Sequence, residues 1–180
     1  NYSFVPQNGL MTITKRNVFV VADNQERVYG DNNPNFSQSF ISNGASTGFV
    51  NGDNSANALG IHGSLGGVDA SAISPSSNVG NYTLVSSVGN LTSTNYNFVS
   101  QNGFLKIDPR PIQVTANNAS RLYGGDNPNL TYQIESDQGL GTNSRGLFNT
   151  DQLNGALSTL AIYTTPVGNA DINQGTLNNP

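Results

Sequence analysis

The residues best suited to binding a ligand occur in pairs, and the pair appears twice. The four side chains are Arg27 and Tyr29 in RVYGDNNPN, and Arg121 and Tyr123 in RLYGGDNPN. Tyrosine stacks and arginine donates several hydrogen bonds, so each pair could bind a sugar or a protein partner. The interpretation we favour is that they pack against a neighbouring strand or module. A period of two would place Val28 and Leu122 on the opposite face, as core residues.

The same stretches could offer oxygen ligands to calcium. Asp31 lies in the first and Asp126 in the second, so each stretch has one carboxylate. Hard cations need six to eight oxygens and usually more than one carboxylate, whereas Asp and Asn before proline bond to their own backbone in turns. The acidic residue also shifts by one position between the copies, which a turn tolerates better than a metal site. We therefore predict a strand end followed by a turn, with no metal and no other cofactor.

Catalytic combinations are few. His62 is the only histidine, and a Ser-His-Asp set can be drawn with Ser64 and Asp69. The second half of the chain has no matching histidine, and glycine-rich loops hold catalytic groups poorly. Glu135 and Asp137 alternate along a strand, but a polysaccharide-active enzyme would need two carboxylates in a cleft. We predict no enzyme activity, with a surface loop at His62 and solvated acids at 135 and 137.

Composition excludes several partners. The 180 residues carry a net charge of −4 with seven Lys and Arg, which leaves no basic stripe for nucleic acid. No apolar run approaches the roughly 20 residues that cross a bilayer, and the N-terminus lacks the regions of a signal peptide. Cysteine is absent, which excludes disulfides and thiol nucleophiles and gives weak support for export. We expect neither nucleic-acid binding nor membrane insertion.

The paired stretches belong to a longer internal repeat. The 40 residues from Asn1 align without gaps to those from Asn95, and 18 positions are identical. Further on, GFVNGDNSANAL from Gly48 resembles GLFNTDQLNGAL from Gly146. The chain therefore divides into two periods, 1–94 and 95–180.

β-strand signals dominate each period. Two apolar runs flank Gln-Asn-Gly and predict a hairpin from Tyr96 to Ile107, with a twin that starts at Asn1. Strands rich in β-branched and aromatic residues are predicted at 18–22, 36–41, 112–116, 130–135 and 157–164. The sole helical signals lie at 53–59 and 150–157, where Asp53 or Thr150 could cap a short turn and Gly60 could end the first.

These elements predict a mainly β fold. We expect two tandem small antiparallel β modules, sandwich or grasp-like, in an elongated array with at most one short helix each. A second division is possible, with 1–15 as the closing hairpin of a preceding module, 16–109 as module one, and 110–180 as a module lacking its closing hairpin. That division leaves an exposed edge, through which copies could join head to tail by strand complementation.

Several motifs carry a family resemblance as a set. VTANNASRLYGGDNPNLTY, then TTPVGN, and NYxF…NGxLxI resemble the MBG or YDG repeats of very large bacterial surface proteins, including filamentous-haemagglutinin-like adhesins exported by two-partner secretion. The resemblance implies an extracellular or cell-surface adhesin stalk associated with biofilm, and it does not imply catalysis. The partners would be neighbouring repeats, with exopolysaccharide or another adhesin copy as further candidates. A carbohydrate-binding module for a matrix polysaccharide is the alternative function.

Overall fold

The fold is mainly β, as predicted. The computed structural model describes residues 1–41, 46–57, 61–136 and 145–179, and over these ranges it contains strands and turns but no helix. It follows that the described residues include no helix that could cross a membrane. The helical signals at 53–57 and 150–157 correspond to turns and irregular structure, which agrees with the prediction of at most one short helix per module; residues 58–60 lie outside the described residues.

The described residues form eleven strands. They are β1 (Arg16–Ala22), β2 (Gln25–Val28), β3 (Gln38–Ile41), β4 (Gly67–Asp69), β5 (Gly80–Ser87), β6 (Tyr96–Gln101), β7 (Gly103–Asp108), β8 (Val114–Ala116), β9 (Tyr132–Ile134), β10 (Ser158–Thr159) and β11 (Ile172–Asn173). All five predicted strands are present, four of them shorter than expected. The longest strand, β5, was not predicted, although its sequence GNYTLVSS alternates between exposed and buried residues along its second half.

The chain folds into two compact units that do not follow the sequence repeats. The first comprises Asn1–Gln25, Pro34–Ile73 and Asn81–Lys106, and the second comprises Glu26–Asn33, Ser74–Gly80 and Ile107–Pro180. The second unit therefore includes the RVYGDNN segment of the first repeat together with most of the second repeat.

The first unit has a three-stranded sheet in the order β3-β1-β6. Strand β1 runs antiparallel to β3 and parallel to β6, with Arg16 opposite Tyr96 and Val18 opposite Phe98. Val18 and Val20 are fully buried because alternate residues of a strand face the same side. Val18 and Tyr96 form a core cluster against which Phe40, Phe49 and Phe98 pack.

A four-stranded sheet has the order β2-β7-β5-β4. Its central strands supply Leu84 from β5 and Leu105 and Ile107 from β7, which are among the largest fully buried side chains of the protein. Leu105 and Ile107 lie on the same face of β7 and reach the core, whereas Phe104, which precedes them, is 44% exposed.

The predicted hairpin from Tyr96 to Ile107 is wrong. Its two strands exist as β6 and β7, but they belong to different sheets and do not pair with each other. A two-residue type I′ turn requires positive φ at both central residues, and neither Asn102 nor Gly103 has it. Instead, Asn102 Oδ1 accepts a hydrogen bond from the Ser86 amide at 3.1 Å. Asn-Gly therefore marks a crossing between sheets.

The twin hairpin predicted from Asn1 is also wrong in this structure. Residues 1–15 contain no strand, and their apolar side chains are almost fully exposed. The exposed residues are Tyr2, Phe4, Val5, Leu10, Met11 and Ile13. A sequence with the same pattern as β6 and β7 thus forms no strand where no partner strand pairs with it.

The second unit has two short antiparallel pairs. Strand β8 pairs with β9, with Val114 opposite Ile134, and β10 pairs with β11, with Thr159 opposite Ile172. Ile107 and Leu177 are buried, whereas Val114 and Ala116 are only half-buried.

Candidate functional site

The first candidate pair lies at the end of β2, and its arginine points inward. Arg27 is 7% exposed. Its Nε donates to Asn33 Oδ1 at 2.9 Å, and its Nη1 donates to the Val28 carbonyl at 3.2 Å. Nη2 donates to the Ser74 carbonyl at 2.6 Å. The guanidinium therefore joins a strand end, the following turn and a distant loop.

The second candidate pair repeats this arrangement donor for donor. Arg121 Nε donates to Asn127 Oδ1 at 2.7 Å, and Nη1 donates to the Leu122 carbonyl at 3.2 Å. Its Nη2 donates to the Ile162 carbonyl. Asn33 and Asn127 occupy the same position of the repeat, as do the two arginines. We call this three-bond arrangement the arginine clamp.

A backbone hydrogen bond accompanies each clamp. The Gly30 amide donates to the Pro75 carbonyl at 3.1 Å, and the Gly124 amide donates to the Tyr163 carbonyl at 3.2 Å. Both glycines have positive φ, 87° and 82°, which side chains rarely tolerate. Gly in Arg-x-Tyr-Gly is therefore needed for the turn, and the arginine holds that turn against the loop.

The residues between arginine and tyrosine do not form the core as predicted. Val28 is half-buried, and Leu122 is 87% exposed. The prediction is wrong for Leu122, because residues 119–122 form no strand and no layer covers them. In the first copy it is the arginine, paired with protein acceptors, that is buried.

The two tyrosines have different surroundings. Tyr29 packs edge-on against Phe148, with ring centroids 5.7 Å apart, whereas Tyr123 is 67% exposed. Burial raises the pKa of Tyr29 above its ordinary value, and a hydrogen bond with Asp151 raises it further. Tyr123 and Arg121 line an open groove of about 280 Å³. Of the two tyrosines, Tyr123 has the more accessible side chain, since Tyr29 is half-buried.

The two candidate calcium residues also differ. Asp31 Oδ1 lies 3.4 Å from Arg110 Nη1, and both side chains are largely buried. The same Nη1 lies 3.4 Å from the Tyr29 carbonyl. Asp126 is exposed. In the described ranges, no three His, Cys, Asp or Glu side chains are grouped as a metal site would need.

The other candidate residues are not brought together. The His62 backbone forms a bridge with Thr92, its amide and carbonyl both at 2.9 Å, and Asn154 forms the same bridge with Asn178 in the second repeat. Asp69 accepts a bond from the Ser71 amide at 2.9 Å, which lowers the pKa of its carboxyl. No described hydrogen bond joins His62, Ser64 and Asp69.

The acidic pair is described only in part. Glu135 Oε2 accepts a bond from Arg145 Nε at 2.9 Å, and Asp137 lies outside the described residues.

Sequence reasoning missed the residues that complete these contacts. Asn33 and Asn127 could have been found, because both copies keep Asn six residues after the arginine. No comparable spacing in the sequence indicated that Asp53 is the partner of Tyr96. Its hydroxyl donates to Asp53 Oδ2 at 2.6 Å, and burial followed by this bond raises the pKa of Tyr96.

Fold and site together define a tandem β-repeat protein whose repeated motif forms the same clamp in both copies. A family model described as MBG domain (YGX type) matches residues 18–106 and again 112–180. The chain belongs to this family, and the resemblance to MBG repeats is confirmed. No curated protein and no solved structure matches the chain.

Proposed function

We propose that this pair of repeats is a structural stalk or spacer of a secreted bacterial surface adhesin. The arginine clamp is the observation that carries the proposal. The most distinctive motif of the repeat directs the Nε, Nη1 and Nη2 donors of its arginine to protein acceptors in both copies. A motif that forms the same intramolecular hydrogen bonds in each copy is typical of a repeated structural unit.

Contacts between residues of successive repeats support this function. Within the second unit, Tyr29 and Asp31 of the first repeat contact Phe148 and Arg110 of the second. In near-linear arrays, stability is the sum of each repeat and its interface with its neighbour. The chief partners would then be neighbouring repeats of the same chain, in an extracellular or cell-surface setting, where the stalk contributes to cell–cell or cell–matrix adhesion in biofilm. We propose no enzymatic activity.

Small-angle scattering on the 180-residue chain and on two copies fused in tandem tests the stalk. A stalk predicts that the maximum dimension grows in proportion to the number of repeats. A compact assembly predicts growth close to the cube root of the mass, and that result would contradict the proposal.

Carbohydrate binding is the second candidate, and exposure of Tyr123 beside a groove favours it. Titration calorimetry with matrix polysaccharides compares the wild type with Tyr123→Ala, and Tyr2→Ala serves as a control because Tyr2 is also exposed but lies outside that groove. Saturable binding that is lost only in Tyr123→Ala would establish a binding module. Absence of saturable binding in all three proteins would leave the spacer function.

A further inference from the structure

Residues at the same position of the two repeats differ completely in exposure. Leu105 and Ile107 are fully buried, at 0% and 1%. Their counterparts 94 positions earlier, Met11 and Ile13, are 85% and 86% exposed. We call residues 96–107 and their copy, residues 2–13, the closing segments. One closing segment fills a core, and the other is unpartnered.

The filled segment shows where a closing segment belongs. Its first half, β6, pairs in parallel with β1, and its second half, β7, lies between β2 and β5. Beneath it, Val18, Val20 and Ala22 of β1 are 0%, 0% and 1% exposed. Strand β1, which carries these buried side chains, is thus paired on both edges, with β3 and with β6.

The corresponding place in the second repeat is open. Ile112, Val114 and Ala116 stand where Val18, Val20 and Ala22 stand in the first repeat, yet they are only half-buried. Among the described residues, β8 pairs with β9 alone, so its other edge is unpaired. These side chains, with Ile172 and Leu177, line an open groove of about 490 Å³, which we call the acceptor groove.

We propose that residues 2–13 of one copy occupy the acceptor groove of a second copy. The first repeat supplies the register, since Val18 pairs with Phe98 and Phe19 with Val99. The equivalent pairs are Ile112 with Phe4 and Gln113 with Val5. Strand addition to an open edge provides backbone hydrogen bonds, and Met11 and Ile13 provide the side chains that the groove lacks.

The sequence of the inserting segment is compatible with this position. Pro6 replaces Ser100, and β6 is the edge strand of its sheet, where proline is tolerated. Thr12 replaces Lys106, which is exposed on β7, so a polar side chain there faces solvent.

Such an exchange generates chains of molecules. The donor and the acceptor are different surfaces, so each copy can offer both at once and the assembly can remain open. The exchange fits a division of the chain into modules at 16–109 and 110–180, in which residues 2–13 complete the second module of another copy. The inference is independent of the stalk function, because it uses only the sequence repeat, the exposed closing segment and the acceptor groove.

Analytical ultracentrifugation over a wide concentration range is the first test. We expect the weight-average mass to rise with concentration, and Met11→Asp with Ile13→Asp to return it to the monomer value. Thr12→Asp is the matched control and should behave as the wild type. These positions are exposed in the monomer, so the variants should fold. A monomer at every concentration, or association that both variants leave unchanged, overturns the proposal.

Disulfide cross-linking tests the register, and the absence of cysteine makes it clean. Equal amounts of Val5→Cys and Gln113→Cys chains should form a covalent heterodimer under mild oxidation. Val5→Cys mixed with Asn129→Cys, an exposed position outside the acceptor groove, should give far less heterodimer. Equal yields in the two mixtures would show that the segment does not dock at this edge.

Discussion

At the residue scale, one motif is held by the same bonds in two solvent environments. Arg27 and Arg121 use the same three donors on equivalent acceptors, but Arg27 is buried and Arg121 is more exposed. Burial determines how much free energy of unfolding is lost when a clamp is removed, because a buried acceptor that loses its donor cannot form a hydrogen bond with water instead.

The two clamps should therefore differ in their effect on stability. We expect Arg27→Gln to lower the free energy of unfolding by about 2–3 kcal/mol, and Arg121→Gln to lower it by about 1 kcal/mol. Urea denaturation of both variants measures the difference, with Arg145→Gln as a control for loss of a more exposed arginine. Equal losses at positions 27 and 121 would show that burial does not set the contribution of the clamp.

Two aspartates at one repeat position bind tyrosines from different parts of the chain. Asp53 accepts from Tyr96 in the first unit, and Asp151 bonds with Tyr29 in the second. The tyrosine pKa values are raised, because burial and a nearby carboxylate both disfavour the phenolate.

Because the tyrosine pKa values are raised, the free energy of unfolding should fall at alkaline pH. A raised folded-state pKa means that the folded protein holds the Tyr96 proton more tightly than the unfolded chain does. The resulting stability is present below the ordinary tyrosine pKa of about 10 and is lost as pH rises through the folded pKa. We expect the melting temperature to drop less steeply above about pH 10 in Tyr96→Phe than in wild type. Tyr2→Phe, at an exposed position, should follow the wild-type curve.

At the scale of elements, many strand positions were predictable, although that of β5 was not, and the strand partners were not predictable. The runs around Val18, Phe40 and Val99 all form strands, because β-branched and aromatic residues suit a pleated surface. Asn-Gly at 102–103 has the composition of a hairpin turn, but β6 and β7 pair with β1 and with β2 and β5 instead. Strand pairing depends on residues that are distant in the sequence, so a local turn signal does not predict it.

The crossing at Gly103 provides a matched pair of substitutions. A Cβ at Gly103 would lie 2.2 Å from the Ala22 carbonyl oxygen, whereas nothing lies within 4 Å of a Cβ at Gly9, its repeat counterpart. We expect Gly103→Ala to lower the free energy of unfolding by about 1–3 kcal/mol through overpacking. Gly9→Ala should have no measurable effect on the dilute monomer. Thermal unfolding of both variants checks this, and a neutral Gly103→Ala would contradict the packing described for this crossing.

At the scale of the whole molecule, the sequence repeat and the compact units are different divisions. The RVYGDNN segment belongs by sequence to the first repeat and by contacts to the second unit. In this arrangement Leu105 and Ile107 of one closing segment are buried, whereas residues 2–13 are exposed.

Hydrogen exchange should detect the difference in protection between residues 2–13 and residues 96–107. In dilute solution we expect amides of residues 2–13 to exchange at nearly unprotected rates, while those of 96–107 are strongly protected. At high concentration, protection should appear in residues 2–13 and in 112–116 together if copies exchange segments. Protection of residues 2–13 that does not depend on concentration would indicate docking within one chain.

Many strand-forming segments, the period of the repeat and the resemblance to MBG repeats could be predicted from the amino-acid sequence, because they depend on local residue preferences and on the similarity between the two halves. The sequence also pointed to Arg-x-Tyr-Gly as a turn motif. Only the tertiary structure decided that Arg27 is buried and Leu122 exposed, and that β6 and β7 join separate sheets. Burial and pairing depend on which surfaces meet, and identical sequence patterns meet different surroundings in the two repeats.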